Sequence, residues 1–513
     1  MSTAAQRLPK PRGKGEGAEA AAAAGGPLAV RRRSVLLSQE CGALSEPRYR
    51  KGLCEGSRDP RPPSFLKGRT DRERRSDMAL DFLCSNLSAG ENGHLFFAGQ
   101  DTAELARRYG TPLFLMDEQR IRACCRAYLQ SVKTAFGGRG RVLFAAKAAA
   151  FKRMFAIMAE EGMCADVVSP GEIWTAVRAG FPMERAWFHS SNKSDEDLAF
   201  AMEQGVGAIV VDSTEELFAV DRIAAARGIQ QAILLRLTPG IDPHTFEAVA
   251  TGKVDSKFGF GIETGLAEEI TRTALSLCHV SLVGFHCHVG SEVFDSDVFI
   301  RSAEIMLRFI ALVKERCGYE AGFLDLGGGY GVRYLPGQPE LDIAGNIAEV
   351  GAYVTRRCRE LGIEQPEIAF EPGRSIVADA GLTLYTVGMV KHIPGIVHYV
   401  SVDGGMTDNI RYALYQAPYT VLPADRLFEP RDLRCTVVGR CCESGDIIQP
   451  DVPLPRGMRR GDLLAVCTTG AYNYSMASNY NRVPRPPVVM LREGESYVAV
   501  RRESLDDLLA LDE

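Results

Sequence analysis

From about residue 114 onward, short apolar runs alternate with longer amphipathic segments. The runs are Val142–Lys147, Cys164–Ser169, Ala186–Ser190, Ala208–Asp212, Ala232–Leu237, Leu282–Val289, Phe323–Gly327 and Glu367–Glu371. Their length and their turn-like flanks predict buried strands. Between them, Phe151, Met154, Phe155 and Met158 recur at helical spacing. Ser169-Pro170-Gly171-Glu172 has a capping-box pattern with proline at the first helical position, and Gly180 is a stop signal. Asp297–Gly318 and Asn346–Gly362 also read as helices. Eight strands alternating with helices over about 255 residues fit a closed (β/α)8 barrel, whose usual size is about 250 residues. The alternative is a doubly wound open sheet. Against it, Gly327-Gly328-Gly329-Tyr330-Gly331-Val332 lacks the third glycine of the dinucleotide-binding turn.

Beyond about residue 380 the pattern changes. Leu382–Val390, Val397–Val402, Arg434–Val438, Leu463–Thr468 and Val488–Leu491 are β-rich, with turn residues rather than helices between them. The reading is an α/β barrel at 114–378 followed by an all-β domain at 379–513, with 78–113 packing against the β domain. Residues 1–77 stand apart. They carry 17 Lys and Arg against 9 Asp and Glu, an alanine run (Ala20–Ala24), a triple arginine (Arg31–Arg33) and no sustained period. A disordered basic extension is expected. A transit peptide fits nine acidic residues poorly, and initiation at Met78 is another reading.

The remaining chain holds 43 basic and 56 acidic residues, which argues against generic nucleic-acid binding. No run of 18 apolar residues suggests a membrane span. The 14 cysteines include no C-x-x-C, which argues against a disulfide scaffold or structural zinc and for a reducing compartment, the cytoplasm.

The carboxyl ends of barrel strands form the active-site face, so polar residues there are informative. The first run ends at Lys147, where an apolar setting would depress the lysine pKa and make the amine nucleophilic enough for a Schiff base. A snorkelling lysine is the bland alternative. Asp166 and Ser169 end the second run, and His189–Lys193 follow the third. His286 and His288 are two apart: a metal pair without a clear third ligand, a flat wall for a flat cofactor, or two satisfied core histidines. Gly327, Gly328 and Gly329 would let backbone amides approach an anion, although tight turns also use glycine. Glu371 and Arg374 form either a plain ion pair or ligand contacts, the carboxylate meeting a protonated ring nitrogen. A lysine, a phosphate cradle and such a carboxylate together describe a pyridoxal phosphate (PLP) site.

These residues also carry a resemblance. The chain is similar to the alanine-racemase-like PLP enzymes, and within them to the diaminopimelate decarboxylase family, from about Phe97 to about Pro487. The markers are Phe97–Asp101, Tyr109–Leu113, Lys147, Asp255–Gly259, His286–Ser291, Leu326–Gly329, Glu371–Arg374, Arg411 with Tyr415, Cys442–Asp446, Gly470–Tyr472 and Met476–Asn481. The resemblance implies Lys147 as the residue carrying PLP and His288 stacked on its ring. It implies Gly327, Gly328 and Gly329 at the phosphate, Glu371 at the ring nitrogen and Asp166 nearby. Arg374, Arg411, Tyr415, Tyr472 and Glu443 would bind substrate, Arg374 and Tyr472 also lying at the cofactor. Glu443 and the proton donor Cys442 would come from the second subunit of a homodimer. The activity implied is decarboxylation of meso-2,6-diaminopimelate to L-lysine, the last step of lysine biosynthesis. Alternatives are a decarboxylase of another basic amino acid or carboxylated polyamine, or a non-catalytic regulatory homologue. Ala149, Glu292 and Tyr412 depart from the common pattern, where relatives often have Asn, Gln and Pro.

Overall fold

The computed structural model describes residues 82–241 and 257–513. The extension at 1–77 and the first two residues of the 255–259 marker lie outside the described residues.

Eight parallel strands close into a barrel: Gly140–Ala145, Cys164–Val167, Ala186–Phe188, Ala208–Val211, Gln231–Thr238, Val280–His286, Phe323–Asp325 and Glu367–Phe370. The eighth pairs back onto the first, Ile368 opposite Gly140. Closure settles the topology against the doubly wound sheet. Helices between the strands cover the outside. One begins at Ser169, whose hydroxyl accepts from Glu172 N at 3.2 Å with Pro170 in the first turn. The box is shifted by one residue, because the Glu172 carboxylate reaches back to Val168 N at 2.7 Å.

Side chains alternate along a strand, and this decides what fills the barrel. Leu143, Cys164, Trp187, Val210, Leu234 and Ala369 belong to one apolar cluster. The residues between them, such as Phe144, Ala165 and Ile368, join the larger core shared with the helices. Two positions beyond the inner apolar residues come Ala145, Asp166, His189, Asp212, Arg236 and Glu371. His286 and Asp325 stand likewise two beyond Gly284 and Phe323. The barrel is therefore apolar below and ringed by titratable groups at its carboxyl end.

The β domain is a mixed sheet built on the long strand Gly381–Ile393. Residues 381–384 pair with Leu113–Met116, and 382–386 pair with Leu463–Cys467. Further along, the same strand pairs with Val397–Val402. The strand Leu113–Asp117 crosses the 113/114 boundary drawn from sequence: it lies in this sheet, parallel to Val488–Arg492, before the chain enters the first barrel helix at Glu118. Leu83, Leu87, Leu95 and Phe97 share a core with Leu382, Leu384, Leu422 and Val489. The junction also holds a buried carboxylate. Glu118 accepts from Arg153 NH2 at 2.7 Å and Arg122 NH2 at 2.8 Å, and Tyr497 of the strand Glu495–Val500 donates its hydroxyl to it.

Candidate active site

A cavity of about 820 Å3 opens at the carboxyl end of the barrel. Barrel loops supply Lys147, His288, Gly328, Gly329, Glu371 and Arg374; the β domain supplies Arg411, Tyr415 and Tyr472. The two are stitched together where Tyr472 N donates to Ala148 O at 2.7 Å, one residue beyond Lys147.

Lys147 sits in the short turn Ala146–Ala148 after the first strand, its Nζ 3.8 Å from Asp166 Oδ2. The depressed lysine pKa expected from an apolar strand end is not found. Burial pushes the ammonium down, but its electrostatic interactions with Asp166, Tyr472 and Glu371 outweigh it and the pKa is raised. An apolar run along the strand says nothing about the acidic ring that closure builds at its end. Burial raises the Asp166 pKa in spite of His189 and Lys147.

Glu371 is not paired with Arg374, the simpler of the two sequence readings. Its carboxylate lies between two imidazoles, 2.9 Å from His189 Nε2 and 3.3 Å from His286 Nε2. Burial pushes the Glu371 carboxyl up; the two imidazoles outweigh it and hold the group well below the usual carboxylate range. Burial brings His286 down to about 4. It also drives His288 well below the ordinary histidine value, Lys147 and Arg236 adding to the effect. His288 is thus a neutral, flat part of the cavity wall. The His286–His288 metal pair considered from sequence is not formed among the described residues: the ligand atoms that lie within 4.8 Å of one another are those of His189, His286 and Glu371, without His288, and both carboxylate oxygens already face imidazole nitrogens.

The triple glycine turns tightly against the eighth strand. A Cβ on Gly328 would lie 2.1 Å from Glu371 O, and one on Gly329 would lie 2.3 Å from Gly290 O. Asp325 Oδ1 accepts from Gly327 N at 2.8 Å, and Glu371 N donates to Gly327 O at 2.9 Å.

Arg374 is buried and fully directed. Its NH1 donates to Tyr334 Oη at 2.8 Å and lies 2.8 Å from Glu292 Oε1, while its NH2 donates to Ser291 Oγ at 3.0 Å. Its guanidinium stands 4.9 Å from the Tyr472 ring centre. Arg411 stands 5.2 Å from the same ring and 5.9 Å from those of Tyr334 and Tyr415. Tyr334 and His189 were not singled out as binding residues from sequence. Strand alternation could have found His189; Tyr334 lies on a loop with no periodic signal. Cys442 and Glu443 do not line this cavity. They are exposed on a loop anchored by Asp446, whose carboxylate accepts from Cys441 N at 2.7 Å and Met406 N at 2.6 Å.

Residues 120–378 match the family model for the pyridoxal-binding domain of pyridoxal-dependent decarboxylases. Diaminopimelate decarboxylase of Bacillus subtilis is 43% identical over 431 residues, 84% of this chain and 98% of that protein. The Staphylococcus aureus enzyme is 42% identical over 422 residues, 82% and 98% of the two chains. This chain belongs to the diaminopimelate decarboxylase family. The crystal structure of the M. jannaschii diaminopimelate decarboxylase with L-lysine matches with a TM-score of 0.78 and 31% identity, over 84% of this chain and 98% of that one.

PLP is the cofactor of this decarboxylase family, and the residues present fit it. The glycine turn has no room for a side chain, so only backbone lines that wall. Glu371 is an ionised carboxylate inside a buried site, the charge a protonated ring nitrogen needs. Lys147 points its amine into the cavity and His288 offers a neutral ring. No helix among the described residues is long and apolar enough to cross a membrane.

Proposed function

We propose that this chain decarboxylates meso-2,6-diaminopimelate to L-lysine and carbon dioxide with PLP held on Lys147, and that it works as a cytoplasmic homodimer. One observation carries the reading. A lysine, an ionised carboxylate clamped by two imidazoles, a glycine turn and two arginines against tyrosine rings all meet in one cavity.

When bound, PLP supplies an electron sink for the pair of electrons left by departing carbon dioxide. The chain's residues do the rest. Glu371 keeps a proton on the ring nitrogen, and its two imidazoles keep it ionised for that role. Gly328 and Gly329 present backbone N–H groups to the phosphate; the Gly327 N–H, already donated to Asp325, does not. His288 and Tyr472 bound the cofactor, and Asp166 stands beside the Lys147 nitrogen. Arg374, Arg411 and Tyr415 bind the substrate's distal carboxylate, for which forked guanidinium donors are suited. Supplied by the partner subunit, Cys442 donates a proton to the reacting carbon and Glu443 contacts the substrate. Their outward presentation from an anchored loop supports this sharing. The 12 free cysteines among the described residues suit a reducing cytoplasm.

The test is carbon dioxide release by the protein with PLP, comparing meso-diaminopimelate with lysine, ornithine and arginine. Release from diaminopimelate with lysine appearing in equal amount is expected. Release only from another substrate would move the specificity; silence on all four would overturn the activity.

A further inference from the structure

Among the described residues, Glu292 is the one acidic side chain in the cavity wall beside the two arginines, and its backbone is unusual. It has φ +64, a left-handed conformation that side-chain-bearing residues rarely adopt. Its neighbours hold it there: Val293 N donates to Gly329 O at 2.9 Å, Gly331 N donates to Val293 O at 2.8 Å, and Ser291 Oγ accepts from Arg374. The result is a carboxylate aimed at Arg374 yet still 24% exposed to the cavity. Arg411 is buried nearby, and among the described residues no carboxylate lies within ion-pair distance of it. Among the described residues of this chain, this end of the cavity thus holds two guanidinium groups and one carboxylate.

We propose that Glu292 and Arg374 form one receptor for the distal amino-acid end of the substrate. Arg374 and Arg411 take the carboxylate, and Glu292 takes the ammonium. The proposal rests on the decarboxylase reading above and adds a residue that reads the amine from within the same chain. The charges of this chain's own residues favour this division. A carboxylate neutralises the surplus guanidinium, and the ammonium replaces the contact that Glu292 makes with Arg374 in the free protein. A ligand with carboxylate but no distal amine leaves Glu292 on Arg374. A ligand with amine but no carboxylate meets uncompensated positive charge. Tyr334, bonded to Arg374 and touched by Arg411, fixes the spacing between the arginines.

The test uses two probes on the PLP-loaded protein, titrated calorimetrically. L-lysine keeps the distal carboxylate and amine; 6-aminohexanoate keeps the carboxylate alone. Glu292→Gln is close to isosteric, and the circular dichroism spectrum checks its fold. The expected result is a loss of about tenfold to a hundredfold in lysine affinity, the worth of one charge-assisted hydrogen bond. The loss for 6-aminohexanoate should be much smaller, and KM for diaminopimelate should rise more than kcat falls. Equal losses for both probes would mean that Glu292 only positions Arg374, and would overturn the proposal. So would unchanged or tighter lysine binding, or an amine dependence that disappears in Glu443→Gln but persists in Glu292→Gln. If the wild-type protein neither binds lysine nor releases carbon dioxide from diaminopimelate, the functional reading itself has failed, and the proposal with it.

Discussion

Gly328→Ala perturbs the cofactor cradle with a single methyl group. The added Cβ would lie 2.1 Å from Glu371 O and 2.9 Å from Glu371 C. Ordinary contact begins near 3.4 Å, so more than 1 Å of overlap must be relieved. The obstacle is backbone, which has no rotamer to change. The turn or the Glu371 backbone must therefore move, and Glu371 carries the carboxylate set between His189 and His286. Overpacking of this kind costs about 1–3 kcal/mol, and occasionally more. If that strain falls on the loaded state, PLP affinity drops by roughly fivefold to more than a hundredfold, since about 1.4 kcal/mol is tenfold. Gly171→Ala is the control. The same methyl there meets only Ser169 Oγ at 3.6 Å, within the first turn of a helix, and alanine outranks glycine in helices by up to about 1 kcal/mol. Equilibrium titration of PLP into apo-protein, followed by absorbance, measures the affinities, and urea unfolding measures stability. Wild-type PLP affinity in a folded Gly328→Ala protein would refute the placement of this turn at the phosphate.

Three other outcomes are expected. Lys147→Ala should abolish turnover and the covalent PLP adduct trapped by borohydride and seen by mass spectrometry, while leaving the urea midpoint near that of wild type; a normal adduct would reject Lys147. Mixing Lys147→Ala with Cys442→Ala dimers should restore partial activity once subunits exchange, and no recovery despite proven exchange would count against a shared site. Glu118→Gln should destabilise the protein at neutral pH by about 3 kcal/mol, in line with the cost of stranding charged partners of a buried pair. Burial raises the Glu118 pKa, but Arg153, Tyr497 and Arg122 outweigh it and lower it from 4.5 to about 2. The stabilisation is therefore complete above about pH 4.5 and fades as pH falls towards 2. Unfolding midpoints of the two proteins should converge only as pH falls to about 2; a pH-independent gap would refute the charge argument.

All eight barrel strands were legible because each is an apolar run bounded by turn or helix signals, which is local information. In the β domain Val397–Val402 was read to the residue. Ile447–Leu454 was not read as a strand, since Pro450 and Pro453 interrupt its pattern; it is an edge strand, paired only with Leu433–Val438, where proline is tolerated. Phe114–Asp117 was assigned to the barrel and Leu113 to the segment before it, because sequence order alone cannot show that a strand pairs with segments far along the chain. In the site, Lys147, Asp166, Glu371 and the glycines were visible as polar or flexible residues ending apolar runs.

The sequence by itself determined the barrel's strand count, the alternation of faces and which residue types reach the barrel's open end, since these follow from periods of two and 3.6 within short windows. Closure decided the rest. Only the pairing of the eighth strand with the first brings Glu371 between His189 and His286 and surrounds Lys147 with carboxylates, reversing the direction expected for its pKa. Only the packing of the β domain over the barrel sets Arg411 and Tyr472 beside Arg374 and leaves Cys442 and Glu443 facing away. Electrostatic environment depends on distance in space, and distances between remote segments are properties of the folded chain.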